Sequence, residues 1–241
     1  MNGIWFYMER DMVKWLRGKI AVISLLIMPA AWLIFVGLAL PVTFTGNYLD
    51  FITPGILIMT MLASSMQGGA LLMFDKILGF LNKFLALPTP REDILFGKIF
   101  FITIRGIIQS TVILGISVLI GATVLGPLQY GMIYLILVLF GILLSGLATT
   151  LALYAGDHDS YAAINTMITM PLFFTSSALM PYKVMPPWLR AIASVNPLSF
   201  AIDAIRSVGA GEVPLLQIGV LAGLGIVVLA ICMQVFRRMT V

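Results

Sequence analysis

Asp75-Lys76-Ile77-Leu78-Gly79-Phe80-Leu81-Asn82-Lys83-Phe84-Leu85-Ala86-Leu87-Pro88-Thr89-Pro90-Arg91-Glu92-Asp93-Ile94-Leu95-Phe96-Gly97-Lys98 is a charged island between two long apolar runs. It holds seven of the 24 Lys, Arg, Asp and Glu residues in the chain. Across all 241 residues, 61% are hydrophobic and 10% charged, and the mean hydropathy is +1.08. A soluble domain is about 45–50% apolar and about 25% charged. So much apolar surface cannot be hidden inside a soluble fold of this length, and long apolar runs mark membrane spans. The weak alternating segments of a transmembrane barrel are absent from the sequence. The predicted class is an all-α integral membrane protein.

Outward from the island, six transmembrane helices fit best, at about 20–40, 51–73, 99–122, 131–153, 161–180 and 215–236. Each can cross about 30 Å of hydrocarbon. Pro41 to Asp50, the island, Gly126-Pro127, Gly156 to Ser160 and Pro181 to Pro214 separate them. Lys14, Arg17 and Lys19 ahead of Ile20–Leu40 imitate a signal peptide. That run is too long for a typical h-region and lacks a small-x-small cleavage site, so it reads as a retained first span. With both termini inside, the cytoplasmic segments carry ten cations: Arg10, Lys14, Arg17, Lys19, Lys76, Lys83, Arg91, Lys98, Arg237 and Arg238. The outer segments carry three, Lys183, Arg190 and Arg206. The positive-inside rule therefore predicts cytoplasmic termini.

Met1–Lys19 reads as an interfacial amphipathic helix, with Ile4, Trp5, Met8, Met12, Trp15 and Leu16 on its apolar face. Glu9, Arg10, Asp11 and Lys14 lie largely elsewhere, giving an elbow along the inner leaflet. Trp188–Val208 is tempting as a seventh span but contains Arg190, Asn196-Pro197, Asp203 and Arg206. Each central charge costs about 2.5–3.5 kcal/mol to insert. Two short re-entrant helices at the outer face, about 187–194 and 198–208, fit better. Asn196 can cap the second with Pro197 at its first position, and Asp203 and Arg206 can pair along it.

Catalytic chemistry finds little support. Gly18-Lys19 and Gly97-Lys98 are each followed by Ile and lack the earlier glycine of a phosphate-binding loop. The single histidine, in Asp157-His158-Asp159, has no second histidine to complete a metal site, and a hydrated inner loop explains it better. Cys232 is the sole cysteine, so neither an intrachain disulfide nor a Cys-based metal site can form. No span shows a mid-membrane carboxylate of the kind an ion-coupled carrier is expected to bury. Arg105, inside the third span, is expected to snorkel toward the inner interface in a positioning role. Thr60, Ser64, Gln67, Gln109, Asn165 and Thr169 place uncharged polar groups within the spans. Helix–helix hydrogen bonding and a weakly polar route for an amphiphile explain them equally well. The island itself predicts a helix over Ile77–Phe84 ended by Leu87-Pro88-Thr89-Pro90. It could rest on anionic lipid or dock in a groove on a cytosolic partner.

Two stretches bear on that choice. Leu87-Pro88-Thr89-Pro90-Arg91-Glu92-Asp93-Ile94-Leu95-Phe96-Gly97-Lys98 resembles the loop after the second span in ABC-2 type transporter permeases. Phe173 to Pro181, Met185-Pro186-Pro187-Trp188-Leu189-Arg190 and Asn196 to Arg206 resemble that family's outer region. Thr175-Ser176-Ser177 departs from it by lacking a glycine often found before the apolar pair. With the layout, the resemblance covers essentially the whole chain, as one ABC-2 type transmembrane domain over 1–241. It implies a permease of the cell (cytoplasmic) membrane, working as a homodimer or a heterodimer with a similar permease. Two copies of a separate ATP-binding subunit would hold ATP and Mg, and this chain would bind no cofactor, metal or nucleic acid. Glu9, Arg10, Lys76, Ile77, Phe80, Leu81, Lys83, Phe84, Arg91, Glu92 and Asp93 would form the coupling contact. Pro187, Trp188, Arg190, Asn196, Pro197, Asp203 and Arg206 would form the outer gate. The cargo would be a drug-like amphiphile, a lipid-linked glycan or a lipid. An ion- or proton-coupled carrier and a non-transporting scaffold are the alternatives, and an intramembrane enzyme lacks a catalytic pair.

Overall fold

The computed structural model describes residues 2–39, 48–86 and 90–238. Of the expected turn Pro41 to Asp50, residues 41–47 lie outside the described residues, as do Leu87-Pro88-Thr89, whereas Tyr48 to Asp50 are already the first turn of a helix. Every regular element described is helical: α1 (Asn2–Arg17), α2 (Lys19–Ala39), α3 (Tyr48–Ile77), α4 (Phe80–Leu85), α5 (Arg91–Ile120), α6 (Pro127–Tyr154), α7 (His158–Phe174), α8 (Pro187–Ala193), α9 (Pro197–Gly209) and α10 (Leu215–Arg238). A single 3-10 turn, Tyr182–Val184, precedes α8. Four helices, α3, α5, α6 and α10, are each long and apolar enough to cross a membrane, and α1 with α2 forms a fifth candidate bent by 74° at its break.

Helix length explains where the island goes. At about 1.5 Å per residue, the 30 residues of α3 and of α5 extend about 45 Å, well beyond a hydrocarbon core of about 30 Å. Asp75 to Ile77 and Arg91 to Lys98 are therefore helical continuations of apolar segments, and only the residues between them form the connection. That connection differs from the expected single helix over Ile77–Phe84. Gly79 adopts φ +73°, a left-handed conformation that favours glycine, and it separates Lys76 and Ile77 on α3 from Phe80–Leu85 on α4.

The fifth expected span is also shorter than 161–180. Asp157 caps α7, its carboxylate accepting from the Ser160 backbone N–H at 2.8 Å, which explains the Asp-His-Asp-Ser run as a helix start. The helix stops at Phe174 after 17 residues. There the Thr175 hydroxyl donates to the Pro171 carbonyl at 2.7 Å and the Ser176 hydroxyl to the Phe173 carbonyl at 2.6 Å. These hydroxyls satisfy the last carbonyls and let the chain turn.

Buried residues of α3 form the centre of the bundle, packed against α2, α5, α6, α7 and α9, while α10 lies along α6. The island ends, α1 and the last turns of α6 and α10 gather at one end. The starts of α3 and α6 gather at the other with α8 and α9. At that second end Asn196 caps α9 as expected, its side-chain oxygen accepting from the Leu198 N–H at 2.9 Å with Pro197 in the first turn.

Candidate functional site

The charged end is built on a close helix crossing. A Cβ added to Gly97 would stand 2.8 Å from the Tyr7 Cβ and 3.0 Å from the Ile4 carbonyl, so the absence of a side chain lets α1 lie directly on α5. This contact turns Tyr7, Asp11 and Trp15 into the protein and leaves Trp5, Phe6 and Leu16 exposed. The buried face thus differs from the expected apolar stripe and contains an acid. Asp11 is 5% exposed, and it meets Lys98, 2% exposed, at 2.7 Å. Lys98 also pairs with Asp75. Arg10 closes the cluster, its Nη2 donating to Asp75 at 2.9 Å and its Nε to Asp11 at 2.8 Å. Two carboxylates and two cations therefore tie α1, α3 and α5 together. A cluster with this little exposure is stable only because each charge has a partner.

The turn beside the cluster has a fixed back and an exposed front. Lys76 points inward, donating to the Leu153 carbonyl at 2.7 Å and the Ala155 carbonyl at 2.9 Å, where it meets the negative end of α6. Leu81 is buried, and Phe84 packs between the Tyr7 ring, 5.4 Å away, and the Arg10 guanidinium, 4.4 Å from its centroid. Ile77, Leu78 and Phe80 are exposed on the outside, with the Lys83 ammonium 5.4 Å from the Phe80 ring. Glu9 and Arg91 are exposed nearby. Glu92 pairs with Arg237 of α10 at 2.8 Å, and Asp93 lies against Gly3 of α1.

The polar residues of the spans divide into two sets. Thr60 is buried and donates to the Ile56 carbonyl at 2.7 Å, and Ser64 and Gln109 are buried in the packing around α3 and α5. Gln67, Asn165 and Thr169 instead line a groove of about 420 Å³ with the apolar side chains of Leu25, Leu62, Met170 and Phe173. Arg105 does not snorkel. It is 1% exposed, donates to the Gln67 side-chain oxygen and lies 5.6 Å from the centre of the Trp15 ring. Trp15 of α1 lies over it, and its side chain is spent on Gln67 rather than on the interface.

At the opposite end Asn196 also donates to the Leu172 carbonyl at 2.7 Å, fastening α9 to α7. Asp203 accepts from Ser177 at 2.8 Å and Tyr182 at 2.7 Å, and lies 3.6 Å from Arg206. Arg206 donates to the Phe51 carbonyl at 3.0 Å and stacks over the Phe51 ring at 3.9 Å. Pro187, Trp188 and Arg190 lie on exposed α8.

Residues 2–209 match the sequence model of ABC-2 type transporters. The chain belongs to the ABC-2 type transporter family. Among its relatives is the putative transport permease ycf38 of Cyanophora paradoxa, 33% identical over 215 residues, which cover 86% of this chain and 73% of that protein. The ycf38 permease of Porphyra purpurea is 34% identical over 188 residues, 75% of this chain but 65% of its own length. The daunorubicin resistance ABC transporter permease protein DrrB1 of Streptomyces coeruleorubidus is 24% identical over 241 residues, covering 96% of this chain and 85% of the relative. In this ABC-2 transporter family member, the Gly97-Lys98 pair has a structural account. Gly97 admits α1, and Lys98 holds the carboxylates that α1 and α3 bring to it. The roles of Asp11, Asp75 and Lys98 were missed in the sequence, although Asp75 and Lys98 bound the island. Their partners lie far apart along the chain, beyond any helical period.

Proposed function

We propose that this chain is the membrane-spanning permease subunit of an ATP-driven exporter. Its spans are α2, α3, α5, α6, α7 and α10, both termini are cytoplasmic, and α1 is the elbow on the inner leaflet of the cell membrane. A separate ATP-binding subunit, in two copies, binds ATP and Mg, and a second permease copy completes the assembly. The observation that carries this reading is the α3–α4 corner. Exposed Ile77, Leu78, Phe80 and Lys83 lie beside a buried ionic cluster that joins three helices, and Phe84 of the same corner packs on its Arg10. A lipid-resting helix needs no such backing, whereas a contact that transmits a push does. Ile77, Phe80 and Lys83 meet the partner with Glu9 and Arg91 beside them. Arg10, Lys76, Leu81, Phe84, Glu92 and Asp93 hold that surface on the bundle. The groove lined by Gln67, Asn165 and Thr169 provides part of an outward route for an amphiphile, and the Pro187–Arg206 helices seal its outer end. Each buried carboxylate at the charged end has a cation partner, which further favours ATP-driven over ion-coupled transport.

The test is reconstitution with an ABC ATP-binding protein as partner, using daunorubicin as the transported probe. Lys83→Glu with Phe80→Ala should abolish ATP-dependent uptake into inverted vesicles. Both residues are exposed, so stability should change by only about 0.5 kcal/mol each. Uptake driven by an ion gradient without ATP, or an unimpaired double variant, would sink the proposal.

A further inference from the structure

Between α1 and the ends of α3 and α5 lies a second cavity, of about 360 Å³, whose wall includes Arg105, Trp15, Lys14, Gln67 and His158. Asp11, Asp75 and Lys98 also contribute to its lining. The cluster already described occupies those three: Lys98 and Arg10 between them partner both acids. Arg105 stands outside that balance. Among the described residues no carboxylate pairs with it, and its contacts are neutral Gln67 and the face of Trp15. A guanidinium with this little exposure and no anion is costly. Two donors on side chains that line the cavity are also unused: the Arg105 Nε and the Trp15 Nε1 are buried without any acceptor. Buried donors are nearly always satisfied, and these two belong to neighbouring side chains.

The geometry points to an oxyanion bound between Arg105 and Trp15, as the head of an amphiphile whose tail lies in the adjoining groove. Gln67, Ala70 and His158 contribute to the walls of both cavities, so a molecule at Arg105 can continue into the groove. That groove supplies the complementary chemistry, its walls including Leu25, Met59, Leu62, Met66 and Phe173. The site therefore takes a phosphate, or a similar oxyanion, carried on an apolar chain. A soluble anion has no use for the groove, and an uncharged amphiphile leaves Arg105 unpaired. The inference rests on the exporter reading in treating the two cavities as part of the cargo route, but binding needs neither ATP nor the partner subunit.

Trp15 is itself the reporter. In purified full-length protein carrying Trp5→Phe, Trp32→Phe and Trp188→Phe, its fluorescence is titrated with a brominated dodecyl phosphate. The same measurement is made with brominated dodecanol, which has the tail without the charge. Inorganic phosphate, with the charge and no tail, is added as a competitor. The alkyl phosphate should quench saturably and bind at least about tenfold tighter than the alcohol, as a charge-assisted contact requires. Arg105→Gln should bring it to the level of the alcohol, and Arg105→Lys should retain part of the difference. Inorganic phosphate should not compete at the same concentration. Equal binding of phosphate and alcohol, or a difference that survives in Arg105→Gln, overturns the anion site. Effective competition by inorganic phosphate overturns the amphiphile and assigns a soluble anion. If Arg105→Gln does not fold, the ligand comparison and Arg105→Lys decide alone. ATP-dependent transport with no anion preference would refute this inference and leave the exporter reading standing. Anion binding without ATP-dependent transport would do the reverse.

Discussion

Replacing Lys98 with Met removes the ammonium at the centre of the charged cluster while keeping most of its apolar length. Lys98 is 2% exposed, Asp11 5% and Asp75 3%, so neither carboxylate can turn to water without moving α1 or α3. Arg10 alone would face both acids and leave one negative charge uncompensated. Breaking a buried pair in this way costs about 3–5 kcal/mol. For a chain of this size each kcal/mol moves the thermal midpoint by about 2–4 °C, so the expected drop is on the order of 10 °C. Cys232, the sole cysteine and buried, gives a direct assay in detergent, because a thiol-reactive dye labels it only as the bundle opens. Midpoints are compared at one heating rate, since unfolding of such a protein need not be reversible. Adding Asp11→Asn to Lys98→Met restores balance and leaves the Arg10–Asp75 bond of 2.9 Å, so at least half of the loss should return. A single variant with an unchanged midpoint would refute the burial of these charges. Strictly additive losses in the double variant would refute their coupling.

Gly97→Leu should displace α1, because even a Cβ would stand 2.8 Å from that of Tyr7. Overpacking of this kind costs about 1–3 kcal/mol, and faster tryptic cleavage after Lys14 and Arg17 would report the loosened helix. Asn196→Ala should lower the thermal midpoint by losing the α9 cap and the bond to the Leu172 carbonyl, a combined cost of about 1–3 kcal/mol. Asn196→Asp should keep the cap yet remain destabilised, since its carboxylate cannot donate to that carbonyl; full stability in the Asp variant would show that the cap alone matters.

Much of the opposite end was legible in the sequence because its signals are local. Asn196-Pro197 starts α9 within two residues, and Asp203 and Arg206 sit one turn apart on it. The charged end was harder to read for an equally physical reason. Arg10 and Asp75, Lys76 and Leu153, and Gln67 and Arg105 are separated by 65, 77 and 38 residues. No local period encodes such pairs. Helical spacing puts Asp11 largely off the apolar stripe of α1, and nothing local in the sequence points it at Lys98. In the fold, the apolar residues of that helix divide between the protein interior and an exposed face, and the acid turns toward Lys98. Gly79 marks a candidate break in the sequence, and its left-handed φ of +73° is where α3 ends and α4 begins.

These contacts also determine how the bundle can move. The ionic cluster joins α1, α3 and α5, and Lys76 fixes the end of α3 to that of α6. The exposed Glu92–Arg237 pair adds little to this, since surface ion pairs are worth about 0–1 kcal/mol. No ion pair among the described residues reaches α7. Its polar ties are the Tyr161 hydroxyl, which donates to the Met66 carbonyl of α3 at 2.6 Å, and the Asn196 bond from α9 at its far end. In the exporter proposed above, a displacement applied at Phe80 would carry α1, α3, α5 and α6 as one group, and α7 would follow only through the Tyr161 bond and apolar packing on α3. The groove beside Gln67 lies between α3 and α7, so it is the space that such a displacement would open or close. Arg105 rides on α5 with the moving group, whereas Asn165 and Thr169 ride on α7. A molecule spanning both would lose part of its contacts when the two separate, which is what release from a transport site requires.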